Sequence, residues 1–205
     1  MQRFAWIIAA VLAAAPLPLR ADNDLLTRMQ ALNPNLHSYQ ATMRAHVALT
    51  TFPFLSTDIV ATYYHKNPDL DKLVIQSGLP GLAQGFSKLY AHIEPPSQWN
   101  KLYLVTPGPD NGKTAAFTLV PRKTGNLTRI LATVDDATAT ISTMRWEFVN
   151  GGWASDDLGY GHIDGNTVVT SQSGHVQEPQ YTGDVTSTFS DYVMNPQLPD
   201  SMFTQ

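Results

Sequence analysis

From Ser38 to Thr50, apolar and polar residues alternate. Tyr39, Ala41, Met43, Ala45, Val47 and Leu49 fall in one phase; Ser38, Gln40, Thr42, Arg44, His46 and Thr50 fall between them. A period of two predicts a strand with one oily face and one wet face. At about 3.3 Å per residue it spans roughly 40 Å, about twice a typical strand. A strand this long predicts a large, curved antiparallel sheet rather than a compact sandwich. Thr57 to Lys66 repeats the pattern, with Ile59, Ala61 and Tyr63 on one face and Asp58, Thr62, Tyr64 and Lys66 on the other. Asn67-Pro68-Asp69 predicts a turn, and Lys72 to Gln76 a third strand.

Two segments break the period. Asp22 to Leu32 carries Leu25, Leu26, Met29 and Leu32 at helical spacing, with Asp22 or Asn23 as cap and Asn33-Pro34 as stop. In Gly78 to Ile93, Leu82, Phe86, Leu89, Tyr90 and Ile93 fall on one helical face. Gly81 and Gly85 weaken that helix by about 1 kcal/mol each relative to Ala, so it depends on docking and suits a mobile cover. Pro95-Pro96 is expected to stop it.

After Lys101 the strands recur: 102–106, 114–120, 128–135, 139–149, 153–160, 167–171 and 181–189. Turns are expected at Pro107 to Gly112, Thr124 to Asn126, Asp135-Asp136, Asn150-Gly151-Gly152, Asp164-Gly165 and Ser173-Gly174. Sequential hairpins imply a meander. Within 139–149 the alternation slips between Ile141 and the Met144, Trp146, Phe148 phase, which predicts a bulge near Ser142-Thr143. A short turn from Pro199 to Phe203 closes the chain. The fold class is therefore mainly β, with a large curved antiparallel sheet and two amphipathic helices that must bury their faces against it. Either the helices fill the concave side completely, or they leave a greasy cavity of the kind small ligands use. The pattern leaves both open.

Composition changes this picture in three ways. Arg3 followed by the apolar run Phe4 to Ala15, then Pro16 and Pro18, reads as a secretory signal peptide cut after Ala21. That leaves residues 22–205 as one exported domain, expected to be a monomer. Without Arg3 and Arg20, eleven basic residues face seventeen acidic ones, a net charge of −6 that disfavours nucleic acid. There is no cysteine, so an exported chain must be stable without disulfides.

Catalytic and metal chemistry finds little support. His37, His46, His65, His92, His162 and His175 are scattered, with no ligand spacing among them. His162 and Asp164 near Asp156-Asp157 form either a weak metal loop or a solvated acidic one. No Gly-x-Ser-x-Gly, nucleophilic Cys or phosphate-cradling Gly loop occurs. The expectation is a binding protein, not an enzyme, with no cofactor and no metal.

The order of features resembles the LolA/LolB-like lipoprotein-carrier superfamily, which also includes LppX/LprG-type lipid binders and RseB-type sensors. The resemblance rests on the helix after the signal peptide, on Ser38 to Thr50, and on Thr57 to Lys66 running into His65-Lys66-Asn67-Pro68-Asp69. It rests also on Leu104-Val105-Thr106-Pro107 before the meander, and on the ending Tyr192 to Phe203. It implies an open half-barrel, covered by N-terminal and central helices, that holds lipid or the acyl chains of a lipoprotein. The expected lining is Val47, Leu49, Ile59, Tyr63, Leu82, Phe86, Leu89, Tyr103, Phe117, Ile130, Met144 and Trp146. Partners would be the lipid or acylated lipoprotein and a membrane-protein donor or acceptor. The alternative is a sensor-type module that engages a membrane-protein partner. In the carriers an Arg before the turn Pro helps hold the lid. Here Asn67 stands there, preceded by Lys66, so that contact is not reproduced.

Overall fold

The computed structural model describes residues 21–51, 55–78 and 94–204. Helix α1 (Ala21–Gln30) leads into β1 (Ser38–Leu49), β2 (Ser56–Lys66) and β3 (Leu70–Ser77). A short helix α2 (Pro96–Leu102) precedes β4 (Tyr103–Asp110), β5 (Thr114–Pro121), β6 (Leu127–Asp135) and β7 (Thr140–Phe148). Then come β8 (Trp153–Ile163), β9 (Asn166–Gln177), β10 (Thr182–Met194) and a 3₁₀ turn, Asp200–Met202. The expected helix over 78–93 lies, but for Gly78, outside the described residues.

Among the described residues all strands form one ten-stranded antiparallel sheet in the order β3-β2-β1-β10-β9-β8-β7-β6-β5-β4. Only the β1–β10 pairing joins strands distant in sequence; every other neighbour is a hairpin. The alternation in β1 is realised directly. Ala41, Met43, Ala45 and Val47 are buried, whereas Arg44 and His46 face water. The sheet is curved and open. Leu73 of β3 and Ile141 of β7 stand six strands apart, roughly 29 Å along a flat sheet, yet both line one cavity. The expected bulge is present: Thr133 pairs with Thr143 and Val134 with Ile141, leaving Ser142 extra.

Two local readings are corrected and one element is added. The segment that Pro95-Pro96 is expected to stop lies outside the described residues; Pro96 itself opens α2, where a fixed φ and a missing N–H cost nothing. Helix α2 buries Trp99, which donates Nε1–H to the Glu94 carbonyl (2.9 Å) and packs edge-on against Phe117. Strand β4 continues through Pro107 to Asp110, which an edge strand tolerates. Strand β9 runs straight through Ser173-Gly174. Gly174 is a packing glycine: a Cβ there would sit 2.5 Å from Oδ1 of Asp156 on β8.

Candidate functional site

The concave face is divided along the strands. At one end, Val47, Ile59, Met144, Trp146, Ala154, Val176 and Val185 pack together as closed core. The other end combines the first halves of β1, β3, β7 and β9 with the last halves of β2, β8 and β10. Because neighbours are antiparallel, these halves lie side by side. There the side chains leave a cavity of about 650 Å³. Met29, Leu32, Leu36, Met43, Ile141, Leu158, Val168 and Phe189 supply apolar wall. Helix α1 forms part of it, anchored by buried Leu25, Leu26 and Met29. Arg28 of α1 also donates to the Asp136 carbonyl (2.6 Å) and carboxylate in the β6–β7 turn.

One corner of the cavity is polar. The register sets Tyr39 beside His65 and His65 beside Asp71, all on the inward face of adjacent strands. The Tyr63 hydroxyl donates to Oδ1 of Asp71, and His65 Nδ1 lies 2.7 Å from the same oxygen. His65 Nε2 lies 3.0 Å from Asn67 Oδ1, and Asn67 Nδ2 donates to the Leu36 carbonyl. The Tyr39 ring packs on Tyr63, His65 and Tyr192, with centroids 5.8, 5.0 and 5.7 Å away. Burial pushes the phenols of Tyr39, Tyr63, Tyr160 and Tyr192 above the usual tyrosine range, so all four stay protonated near neutral pH. Asn67 thus holds the connection after α1; its N–H also donates to the His37 carbonyl (2.9 Å).

Of the expected lining residues, Tyr63 faces the cavity. Val47, Ile59, Tyr103, Phe117, Ile130, Met144 and Trp146 belong to the closed core, with Leu49 packed at its margin. Leu82, Phe86 and Leu89 lie outside the described residues. The period of two identified the concave face but carries no signal for position along a strand. The residues it passed over, Tyr39, Met43, Leu158, Tyr160, Val168, Phe189 and Tyr192, sit on that face at the open end. The one available signal was the mixture of Tyr, His and Asp with apolar residues at those strand ends.

Beneath the cavity, Asp156 is buried between Met144 and Gly174. It accepts a hydrogen bond from Gln172 Nε2, whose side chain lines the cavity. Burial raises its pKa to about 7. Asp157 points the other way, into solvent, so the two acids do not converge. Among the described residues no cluster of three His, Asp or Glu is placed to hold a metal, and no helix is long and apolar enough to cross a membrane.

No family model matches the chain, and no curated protein matches it by sequence. Solved structures do match. A DUF1329 family protein from Desulfovibrio piger is 15% identical, with 92% of this chain and 98% of that one covered and a TM-score of 0.58. A domain named for outer-membrane lipoprotein sorting, from Vibrio parahaemolyticus, is 12% identical, with 90% and 97% covered and a TM-score of 0.61. A LolA superfamily protein from Nitrosomonas europaea is 12% identical, with 89% and 97% covered and a TM-score of 0.56. The fold is therefore the LolA-like half-barrel, matched over nearly the whole length of these structures.

Proposed function

We propose that this chain is an exported carrier that shelters the apolar tail of a lipid or acylated lipoprotein inside the half-barrel. The observation that carries the reading is the cavity of about 650 Å³ at one end of an otherwise closed core. Its size falls within the range of single small-ligand sites, roughly 300–1,000 Å³. Away from the polar corner its walls are mainly aliphatic and thioether side chains, which gain about 0.8 kcal/mol for each methylene of a guest withdrawn from water. The shared fold with a domain named for lipoprotein sorting supports the same reading. The chemistry is binding and release, with a membrane-protein donor or acceptor at either end of the transfer.

The test is to express the whole chain, purify its exported form and identify co-purifying lipid by mass spectrometry. Leu158→Trp fills the apolar half of the cavity from a half-buried position. It should lower bound lipid at least about tenfold while the circular dichroism spectrum stays unchanged. A folded variant that retains as much lipid as the parent would remove the cavity from consideration.

A further inference from the structure

The outer face of the sheet carries a surface that the carrier reading leaves unused. It lies where α2 passes into β4 and where β5 ends. The Arg122 N–H donates to the Leu102 carbonyl (2.9 Å), which extends the β4–β5 ladder one pair past Tyr103 and Pro121. Two positions along, Leu104 pairs with Val120. Side chains two apart share a face, so Leu102, Leu104, Val120 and Arg122 point away from the buried Tyr103 and Leu119. All four are exposed. Six large apolar side chains are this open to water among the described residues, and three of them meet here. The core lies on the other side of the strands and does not use them.

Positive charge gathers at the same place. Lys101, Arg122 and Lys123 line one shallow cleft of about 240 Å³ beside Leu102. Arg122 gives one N–H to the Asn100 carbonyl (3.2 Å). The Lys and Arg ion pairs of the described residues engage Arg28, Lys66, Arg129 and Arg145 instead. Glu94 is the acid of the cleft and faces the Tyr103 phenol. At the opposite end of the sheet, Asp69, Asp110, Asp135 and Asp164 stand at the turns with Lys113. The chain is acidic overall, so its charges are segregated: a negative surface is attracted to this end and repelled by the other.

A protein partner fits this surface poorly. Interfaces between proteins favour aromatic anchors and are depleted in Lys. Here two Lys are present, and no exposed aromatic ring accompanies them among the described residues. Pro107 and Pro109 bar the addition of a strand along β4. Aliphatic side chains set among cations suit the head-group layer of a membrane, where the first enter the acyl boundary and the second meet phosphate.

We infer that the α2–β4–β5 surface docks the protein on a bilayer that contains anionic phospholipid. The surface stands apart from the cavity, so the inference does not rest on the carrier reading. Docking by it turns the hollow end of the sheet away from the bilayer.

The test is co-sedimentation of the whole exported chain with vesicles of phosphatidylcholine, alone or mixed with phosphatidylglycerol. The mixed vesicles should bind at least about tenfold more tightly, and added salt should weaken that binding by screening the charges. Lys101→Gln and Lys123→Gln should each weaken it about fivefold, the worth of one cation near an anionic surface. Lys113→Gln removes the same charge at the opposite end and should leave binding unmoved. The chain has no cysteine, so Leu104→Cys can carry a single polarity-sensitive dye. Its emission should shift to the blue on mixed vesicles, and the dye on Lys113→Cys should not shift. Equal binding to both kinds of vesicle, no binding to either, an equal loss from Lys113→Gln, or no shift from the Leu104→Cys dye each overturns the inference. Binding to soluble polyglutamate in place of vesicles, weakened by the same two Lys variants, also overturns it and assigns the surface to an acidic protein. None of these outcomes bears on the cavity, which co-purifying lipid tests separately.

Discussion

Asp156 is the residue whose energetics stand furthest from its sequence context. Its carboxyl is buried, has Gln172 as donor, and has a glycine opposite to make room. A folded-state pKa of about 7 against an unfolded value of about 3.9 means that, between those values, the folded chain holds a proton the unfolded chain releases. The stability linked to Asp156 is therefore fully present below about pH 4 and is lost as pH rises through about 7. The limit is of the order of 4 kcal/mol, at about 1.4 kcal/mol per unit. Asp156→Asn should flatten this slope: urea melts should show the variant more stable than the parent at about pH 8.5, with the advantage shrinking at about pH 5. An unchanged difference across that range would mean that Asp156 is solvated. Residue identity alone did not reveal this, because Asp156 and Asp157 look alike in sequence and only strand pairing turns the first inward.

At the scale of elements, the bulge in β7 was legible because it leaves a mark on the pattern. Ser142 is the extra residue, and its hydroxyl donates to the Thr133 carbonyl at 3.2 Å. Deleting Ser142 would restore strict alternation from Ile141 to Trp146, so the strand should still pair. The local bend would be lost, because a bulge increases strand curvature and twist. The expected outcome is a folded protein with less retained lipid; retention equal to the parent's would show that curvature is set elsewhere. Glycine and proline misled for the same reason. Gly174 and Pro96 are punctuation in a propensity reading, yet here one is a packing position and the other a helix start. Both depend on neighbours that a local window does not contain.

At the scale of the molecule, the sheet is closed by neither edge, and each edge is treated differently. Strand β4 carries Pro107 and Pro109, which cannot donate to an added strand. Beside β3, the final segment is strapped down: Lys66 Nζ donates to the Leu198 carbonyl (2.7 Å) and Asp200 (2.6 Å), and Lys72 to Met202. Asn195 starts this strap, its side chain accepting the His37 N–H at 2.7 Å. Lys66→Ala with Lys72→Ala should cost no more than about 1–2 kcal/mol overall, since both contacts are partly exposed. Hydrogen exchange over 70–77 should nevertheless accelerate and self-association rise; unchanged exchange there would deny the strap its role. By itself the sequence determined the antiparallel meander, the inward phase of β1 and β2 and the bulge in β7, because these follow from a period of two and from turn residues a few positions apart. Only the tertiary structure decided which end of the concave face is solid and which is hollow. Position along a strand leaves the hydrophobic period unchanged, and the cavity arises where β1–β3, β7–β10 and α1 meet across long sequence separations.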